Sequence, residues 1–257
     1  MSAWRINLLR LAVLALFLLA WELATGTLID PFWLSKPSLI GAWIMKSLRS
    51  GELLGDLAVT FSSAAYGYVL GAIGGLVMGL VLAQSETVAE VLRPFILAVY
   101  GIPRIALAPV FVLWFGIGMY SKVMMAGTMT LLLVFFSTFD GIRAADAELR
   151  SVASVLGAGR WQLFRYVTVP NAMPWIISGL RISIPQALVA SVMAEFIAST
   201  AGIGYRIMST TNTLDTAGTM AGILILMVLV VGLNDILDRF ESHVMRWRPP
   251  GAGPGAQ

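Results

Sequence analysis

Residues 57–83 read LAVTFSSAAYGYVLGAIGGLVMGLVLA and contain no charged side chain. A helix of about 20 apolar residues is long enough to cross the hydrocarbon core of a bilayer. This stretch has 27 residues and therefore predicts a transmembrane helix. We expect the fold to be built in a membrane rather than in water.

Four glycines in this stretch, Gly67, Gly71, Gly75 and Gly79, recur at intervals of four residues. Residues four apart lie on one face of a helix. Small residues on such a face allow another helix to approach backbone to backbone. We expect this glycine stripe to be a helix-packing face.

The composition of the whole chain agrees with a membrane protein. Of its 257 residues, 58% are hydrophobic and only 12% are charged, against about 25% charged in an average soluble domain. Cysteine is absent, His243 is the single histidine, and there is no phosphate-binding GxxxxGK[ST] motif. These absences argue against metal sites, Ser/His chemistry and nucleotide chemistry in this chain. We therefore expect no catalytic residues, no metal, no cofactor and no nucleic-acid partner for it.

Six apolar segments predict an all-α membrane protein with about six transmembrane helices. Besides residues 57–83 they are Ile6–Leu23, Arg93–Phe115, Val123–Phe139, Pro170–Ala198 and Ala217–Ile236. The segment Arg93–Phe115 contains Pro103. It is either one spanning helix or a cytoplasmic piece followed by a shorter span. We expect an aqueous loop at 26–56 with a short amphipathic helix over Ser38–Arg49, and a polar loop at 199–216.

The basic residues predict the orientation of these spans. With the amino terminus inside, ten Arg and Lys residues fall in cytoplasmic segments and five, including Lys122, in outer segments. Cytoplasmic loops are enriched in Arg and Lys, so both termini are expected in the cytoplasm. We divide the chain into a first helix with its external loop (1–56), a core (57–246) and a disordered tail (247–257).

The charged interval 140–169 lies between spans four and five and contains DAELRSVASVLG. Asp146 and Glu148 would stand in the first turn of a short helix, where carboxylates complement the helix dipole. Apolar residues follow at helical spacing, and Gly157 stands where a left-handed cap would end the helix. The apolar positions are Leu149, Val152, Ala153 and Leu156. Such a helix lies either on the membrane surface or against a partner.

This interval resembles the cytoplasmic loop of the permease subunits of binding-protein-dependent ABC importers. Their motif is E-A-A-x3-G-x9-I-x-L-P, and Ser151-Val152-Ala153, Gly157, Val167, Val169 and Pro170 occupy its positions at the same spacing. Ser151 stands in place of the motif's Glu and Val152 in place of its first Ala. Glu148 lies one turn away from Ser151.

Three further blocks resemble the branch that handles aliphatic sulfonates, taurine and nitrate. They are IPRIALAPVFVLWFGIGMYSK (102–122), GRWQLFRYVTVPNAMPWIISGLRIS (159–183) and AEFIASTAGIGYRI (194–207). The resemblance implies a type I importer permease in the inner membrane that carries a small anionic solute and is not itself an enzyme. An aromatic vitamin precursor is the alternative solute.

The same resemblance implies the partners. They are a second permease subunit, expected to make a homodimer, two cytoplasmic ATPase subunits that bind ATP and Mg²⁺, an external binding protein, and lipid. Residues Leu149 to Leu156 would form the face that contacts the ATPase.

Two charged residues inside the spans are candidates for the solute pathway. Arg181 lies near the middle of span five, where it would attract an anion or pair with a neighbouring acid or carbonyl. Glu195 would gate the outer mouth or cap the polar loop after it, and we favour the capping role. Arg104 belongs to the pathway only if Arg93–Phe115 is one helix.

Two other classes of membrane protein compete with this interpretation. An intramembrane enzyme would need paired acids, a histidine or a metal set, and only Asp235 and Asp238 form a close acidic pair within a terminal helix. A secondary transporter working alone commonly shows two related halves, and no internal repeat is visible.

Overall fold

The computed structural model describes residues 3–144 and 152–244. The described residues are helical with short connections, which confirms the all-α fold. The helices are α1 (Ala3–Ala24), α2 (Pro37–Arg49), α3 (Glu52–Leu82), α4 (Glu86–Gly101), α5 (Ala108–Phe115), α6 (Met119–Arg143), α7 (Arg160–Leu163), α8 (Val169–Ile197), α9 (Ile203–Asn212) and α10 (Thr216–Val244).

Five helical segments are long and apolar enough to cross a membrane. They are Trp4–Ala24, Glu52–Leu82, Met119–Arg143, Trp161–Ile197 and Thr216–Leu237. They correspond to five of the six predicted spans.

The predicted span Arg93–Phe115 is not one helix, so the first of its two interpretations is wrong. Helix α4 ends at Gly101, a 3₁₀ turn covers Arg104–Leu107, and α5 has only eight residues. Pro103 precedes the turn and has no backbone N–H with which to continue α4. At 1.5 Å per residue α5 is about 12 Å long, too short to cross a bilayer alone. Arg104 therefore lies in a turn and not within a spanning helix.

Helices α3 and α6 run side by side in the same direction. A Cβ placed on Gly67 would meet Ala126, one on Gly75 would meet Leu131, and one on Gly79 would meet Thr138. Because the contacts advance together along both helices, the chain returns to its starting side between them. Residues 83–118, which contain α4, the 3₁₀ turn and α5, make this return.

The glycine stripe packs directly on the backbone of α6. A Cβ on Gly67 would lie 2.5 Å from the Cβ of Ala126, and one on Gly75 would lie 2.6 Å from the carbonyl oxygen of Leu131. One on Gly71 would overlap the carbonyl oxygen of Gly127. The stripe thus faces a helix of the same chain, where only a hydrogen atom fits at these positions.

Helices α7 and α8 form one continuous helical segment. A π-helical turn over Phe164–Thr168 joins the two helices. The N–H of Val169 bonds to the carbonyl of Phe164, five residues earlier. Pro170 follows at the second position of α8, where its missing N–H interrupts the regular ladder. The wider π turn immediately before it accommodates that interruption.

The polar stretch 199–216 contains a helix, α9, rather than only a loop. Gly202 precedes α9 with φ +116°, and its N–H donates to Asp56 Oδ1 at 2.8 Å. Arg206 Nε donates to the other oxygen of Asp56 at 2.7 Å, and Arg206 Nη1 donates to Glu52 at 3.0 Å. The carboxylate of Asp56, 146 residues from Gly202 in sequence, therefore accepts a hydrogen bond from a backbone N–H at the start of α9.

Glu22 caps helix α2 from the end of α1. Its carboxylate accepts from the Ser38 backbone N–H at 2.9 Å and from the Ser38 hydroxyl at 2.6 Å. Ser38 is the second residue of α2, so a negative charge stands at a helix amino terminus. The α2 prediction is confirmed, whereas sequence analysis assigned Glu22 no role of this kind.

The helices form two compact units. One consists of the described residues up to Val59 with Ala201–Leu229, and the other of Thr60–Thr200 with the described residues from Val230 onward. In the second unit α6 and α8 pack against each other. Small residues dominate the core there and allow close approach; it comprises Ala108, Phe111, Met125, Ala126, Ala187, Ala190 and Ala194.

Candidate functional site

The predicted loop helix between α6 and α7 is present at residues 152–155 and ends at Gly157. Gly157 has φ +85°, in the left-handed region predicted for it. Its N–H bonds to the carbonyl of Ser154 at 3.0 Å, and the N–H of Ala158 bonds to the carbonyl of Ala153 at 3.0 Å. This pair of bonds is the Schellman motif, which favours glycine because a side chain is strained in this conformation.

The loop helix (residues 152–155 with its cap) exposes large apolar side chains. Val152 is 58% exposed, Val155 88% and Leu156 80%. Val155 falls within the predicted contact range Leu149 to Leu156 but not among the apolar positions named there, although it lies three residues after Val152 and so shares its face. Asp146, Glu148, Leu149 and Ser151 lie outside the described residues. Ala153 is half-buried, and Pro170 is exposed at the start of α8.

The loop helix connects two spans that touch along their length. At the loop end, a Cβ on Gly141 of α6 would lie 2.5 Å from the Cβ of Trp175 in α8, and Gly179 of α8 abuts Ser137 of α6. On the α7 side of the loop, the N–H of Gly159 donates to the Gln162 side chain at 2.8 Å. Any force applied to the loop helix therefore acts at the end of a closely packed pair of spans.

A charge cluster, formed by Thr60, Lys122 and Glu195, lies at the opposite end of these spans. Lys122 Nζ is 3.4 Å from Glu195 Oε1, and the Thr60 hydroxyl donates to both carboxylate oxygens at 3.0 Å. The side chains of Lys122 and Glu195 are 3% and 0% exposed. Glu195 therefore contacts other spans as well as preceding the polar stretch after α8.

Lys122, which the sequence analysis counted among the basic residues of the outer segments, is buried. Lys122 is the fourth residue of α6 and is 2% exposed. Its sequence neighbours GMYS are typical of a turn, so only its distant partner shows that it is buried. A buried pair of charges in a spanning region is a functional candidate because each charge is costly there unless it is paired.

A second polar contact joins α3 and α8 beside the charge cluster. The hydroxyls of Ser63 and Ser191 are 2.5 Å apart, and the Ser63 hydroxyl also bonds to the carbonyl of Thr60 at 3.0 Å. Both serines are fully buried. The Ser63–Ser191 contact and the charge cluster lie about one helical turn apart along α3 and along α8.

Arg181 is partly buried near the middle of α8. Glu195 lies 14 residues further along, about 21 Å at 1.5 Å per residue. Arg181 and Glu195 are therefore too far apart along α8 to pair with each other, and Glu195 pairs with Lys122. The side chain of Arg104 is not among those that the structure describes.

These features define a class of protein: a multi-pass membrane protein with a capped loop helix between two packed spans. The chain belongs to the family of binding-protein-dependent transport system inner membrane components, whose model matches residues 71–246. It is thus an ABC importer permease of the inner membrane, as the loop motif predicts.

Several relatives cover most of the chain. A putative aliphatic sulfonates transport permease protein of Bacillus subtilis is 32% identical over 91% of this chain and 85% of its own length. A riboflavin transport system permease of Chloroflexus aurantiacus is 33% identical over 91% and 88%. A taurine transport system permease of Escherichia coli is 28% identical over 95% and 93%.

Solved structures show the same fold. The crystal structure of an amino acid ABC transporter with histidines matches with a TM-score of 0.66 at 18% identity, over 78% of this chain and 98% of that one. An inward-facing MetNI methionine ABC transporter matches with a TM-score of 0.61 at 18% identity, over 78% and 97%.

Proposed function

We propose that this permease forms the translocation pathway for a small anionic solute, such as a sulfonate, taurine or nitrate, and takes its driving force through the loop helix. The observation that carries the proposal is the Gly157-capped helix, which holds Val152, Val155 and Leu156 exposed. A partner ATPase would cover these side chains. ATP and Mg²⁺ would bind to that partner and not to this chain.

An apolar helix face that fits a groove is a common mode of protein recognition. Covering a valine or leucine side chain contributes roughly 1.5 to 3 kcal/mol. The fixed cap makes this binding efficient, because a helix that is already ordered loses less conformational entropy when a partner covers it. A rigid helix also passes a displacement on to the two spans that it connects.

The expected assembly contains two copies of this permease, two ATPase subunits and an external binding protein. The family motif places a Glu at the position of Ser151. Glu148 supplies a carboxylate one turn before that position. We propose that Glu148 takes over contacts that the motif's Glu would make with the ATPase.

The sulfonate and taurine permeases among the relatives support a small anionic solute. Arg181, partly buried in the middle of a span, provides a positive charge that would attract such an anion in a low-dielectric surrounding. The riboflavin permease relative supports the second candidate, an aromatic vitamin precursor.

We place the loop helix and both termini in the cytoplasm because of the Arg and Lys asymmetry. Removing the buried Lys122 from the outer set changes the ratio from ten against five to ten against four. The excess of basic residues on the inner side is kept in either count, which supports the proposed orientation.

The docking proposal is tested by Val152→Asp and Val155→Asp, with Leu214→Asp as the matched control. Leu214 is 69% exposed but lies between α9 and α10, away from the loop helix in sequence. Each loop variant should weaken ATPase binding about tenfold or more, the equivalent of one buried side chain. The control should retain the ATPase on purification. Full retention by both loop variants would place the docking site elsewhere.

The solute is tested in proteoliposomes that contain the permease, its ATPase and its binding protein. Taurine, an alkanesulfonate, nitrate and riboflavin are each offered at saturating concentration. With the binding protein outside the vesicles, an anionic solute should stimulate ATP hydrolysis and accumulate in the vesicle lumen. Stimulation by riboflavin alone would favour the second candidate.

A further inference from the structure

Helices α3, α6 and α8 are joined at several levels along their length. At the loop end of α6, Gly141 and Trp175 meet at backbone distance. At the far end, Lys122 and Glu195 pair, 19 residues or about 28 Å from Gly141 along α6. Between these levels the glycine stripe holds α3 on the backbone of α6.

The charge cluster is the place where all three helices meet through polar groups. Thr60 comes from α3, Lys122 from α6 and Glu195 from α8, and Ser63 and Ser191 add a second contact between α3 and α8. These contacts involve five buried side chains.

Stability alone is a weak explanation for a buried ion pair. Replacing such a pair by apolar side chains of similar volume is often neutral or stabilising, because both charges must be desolvated. An ion pair does fix the register of the helices that carry it, since a shift of one turn leaves each charge unpaired in an apolar surrounding. Apolar contacts in a bilayer lack this selectivity, because lipid is an equally good apolar neighbour.

We propose that Lys122, Glu195 and Thr60 are positioning residues that make α3, α6 and α8 one rigid body, so that movement of the loop helix reaches the far end of the spans. The inference rests on the proposed role of the loop helix as the ATPase contact. The three helices must stay together at both of their ends, because the loop helix acts at one end and the external binding protein acts at the other. Without the charge cluster, α8 slips against α6 and part of the ATP hydrolysed moves no solute.

The first test is the double variant Lys122→Met/Glu195→Gln in proteoliposomes with the ATPase and binding protein. The two single variants are less informative, because each removes one charge of a buried pair and is expected to impair insertion or assembly. In the double variant, solute transported per ATP hydrolysed should fall about threefold or more. Only the solute-stimulated part of ATP hydrolysis enters this ratio, so permease that is misfolded or has lost its ATPase does not change it.

The second test adds a covalent link at the same level. The natural chain contains no cysteine, and the Ser63 and Ser191 hydroxyls are 2.5 Å apart, so Ser63→Cys/Ser191→Cys gives one defined disulfide. In the Lys122→Met/Glu195→Gln background, oxidation should restore the transport ratio and reduction should abolish the gain. In the otherwise natural chain, oxidation should leave transport unchanged, because a rigid body tolerates a link within itself.

Two results would overturn the proposal. One is an unchanged transport ratio in Lys122→Met/Glu195→Gln. The other is a block of transport by the disulfide in the natural background, which would show that α3 and α8 separate during the cycle. ATPase retention, measured on the same samples, distinguishes this failure from failure of the docking proposal. If Val152→Asp and Val155→Asp keep the ATPase while the ratio still falls here, the rigid body stands and the docking site is elsewhere.

Discussion

Gly75 and Gly74 are adjacent in α3 and yet should respond in opposite ways to replacement by alanine. A Cβ on Gly75 would lie 2.6 Å from the carbonyl oxygen of Leu131 and 2.9 Å from the backbone nitrogen of Phe135. A Cβ on Gly74 would lie 3.1 Å from Leu131 Cδ1, the end of a flexible side chain. The first contact is with rigid backbone, and the second is relieved by a small rotation of Leu131.

The magnitudes follow from these distances. An ordinary Cβ contact begins at about 3.4 Å, so Gly75→Ala forces α3 and α6 apart by several tenths of an ångström. Overpacking of this kind costs about 1 to 3 kcal/mol, partly offset by the gain of about 1 kcal/mol for alanine over glycine in a helix. Gly74→Ala keeps most of that gain. We expect Gly75→Ala to be less stable than Gly74→Ala by about 1 to 3 kcal/mol.

The assay is thermal unfolding of the purified permease in detergent, followed by the fluorescence of its eight tryptophans. Gly74→Ala should keep or slightly raise the midpoint, and Gly75→Ala should lower it. Gly75→Leu should lower it further, because a larger side chain meets the same backbone. Equal midpoints for Gly74→Ala and Gly75→Ala would refute the reasoning, since they would show that α3 and α6 are not in backbone contact.

Three further predictions concern the loop helix, the solute and the topology. Gly157→Val should cost about 1 to 2 kcal/mol locally and lower ATPase retention. Gly157→Asn should largely keep the ATPase, because open space surrounds the position and only the left-handed backbone resists a side chain. Pull-down stoichiometry measures the retention of both variants. Arg181→Gln should reduce uptake of an anionic solute several-fold while the ATPase stays bound, and uptake at the original rate would contradict a role in anion attraction. Reporters inserted at Ser151 and at Gly51 should report the cytoplasm and the outside respectively, and the reverse result would remove the loop helix from the ATPase side of the membrane.

Features that depend on local spacing could be predicted from the amino-acid sequence. The spans follow from the length of their apolar stretches, because a helix must satisfy its own backbone in lipid and about 20 residues are needed to cross. The cap at Gly157 and the loop motif are equally local, since a helix end is determined by the few residues around it. The glycine interval of four in α3 predicts a packing face for the same reason, but it does not say which helix packs there.

Tertiary structure alone decided which distant residues meet. Lys122 follows a turn in sequence and looks exposed, but it is buried because Glu195, 73 residues away, offers it a carboxylate. Helix α9 forms in a stretch that reads as a loop because Asp56 binds the backbone at its start. Periodicity and propensity describe interactions within a few residues, whereas a buried charge or a capped helix end depends on a partner whose position is set only when the helices pack.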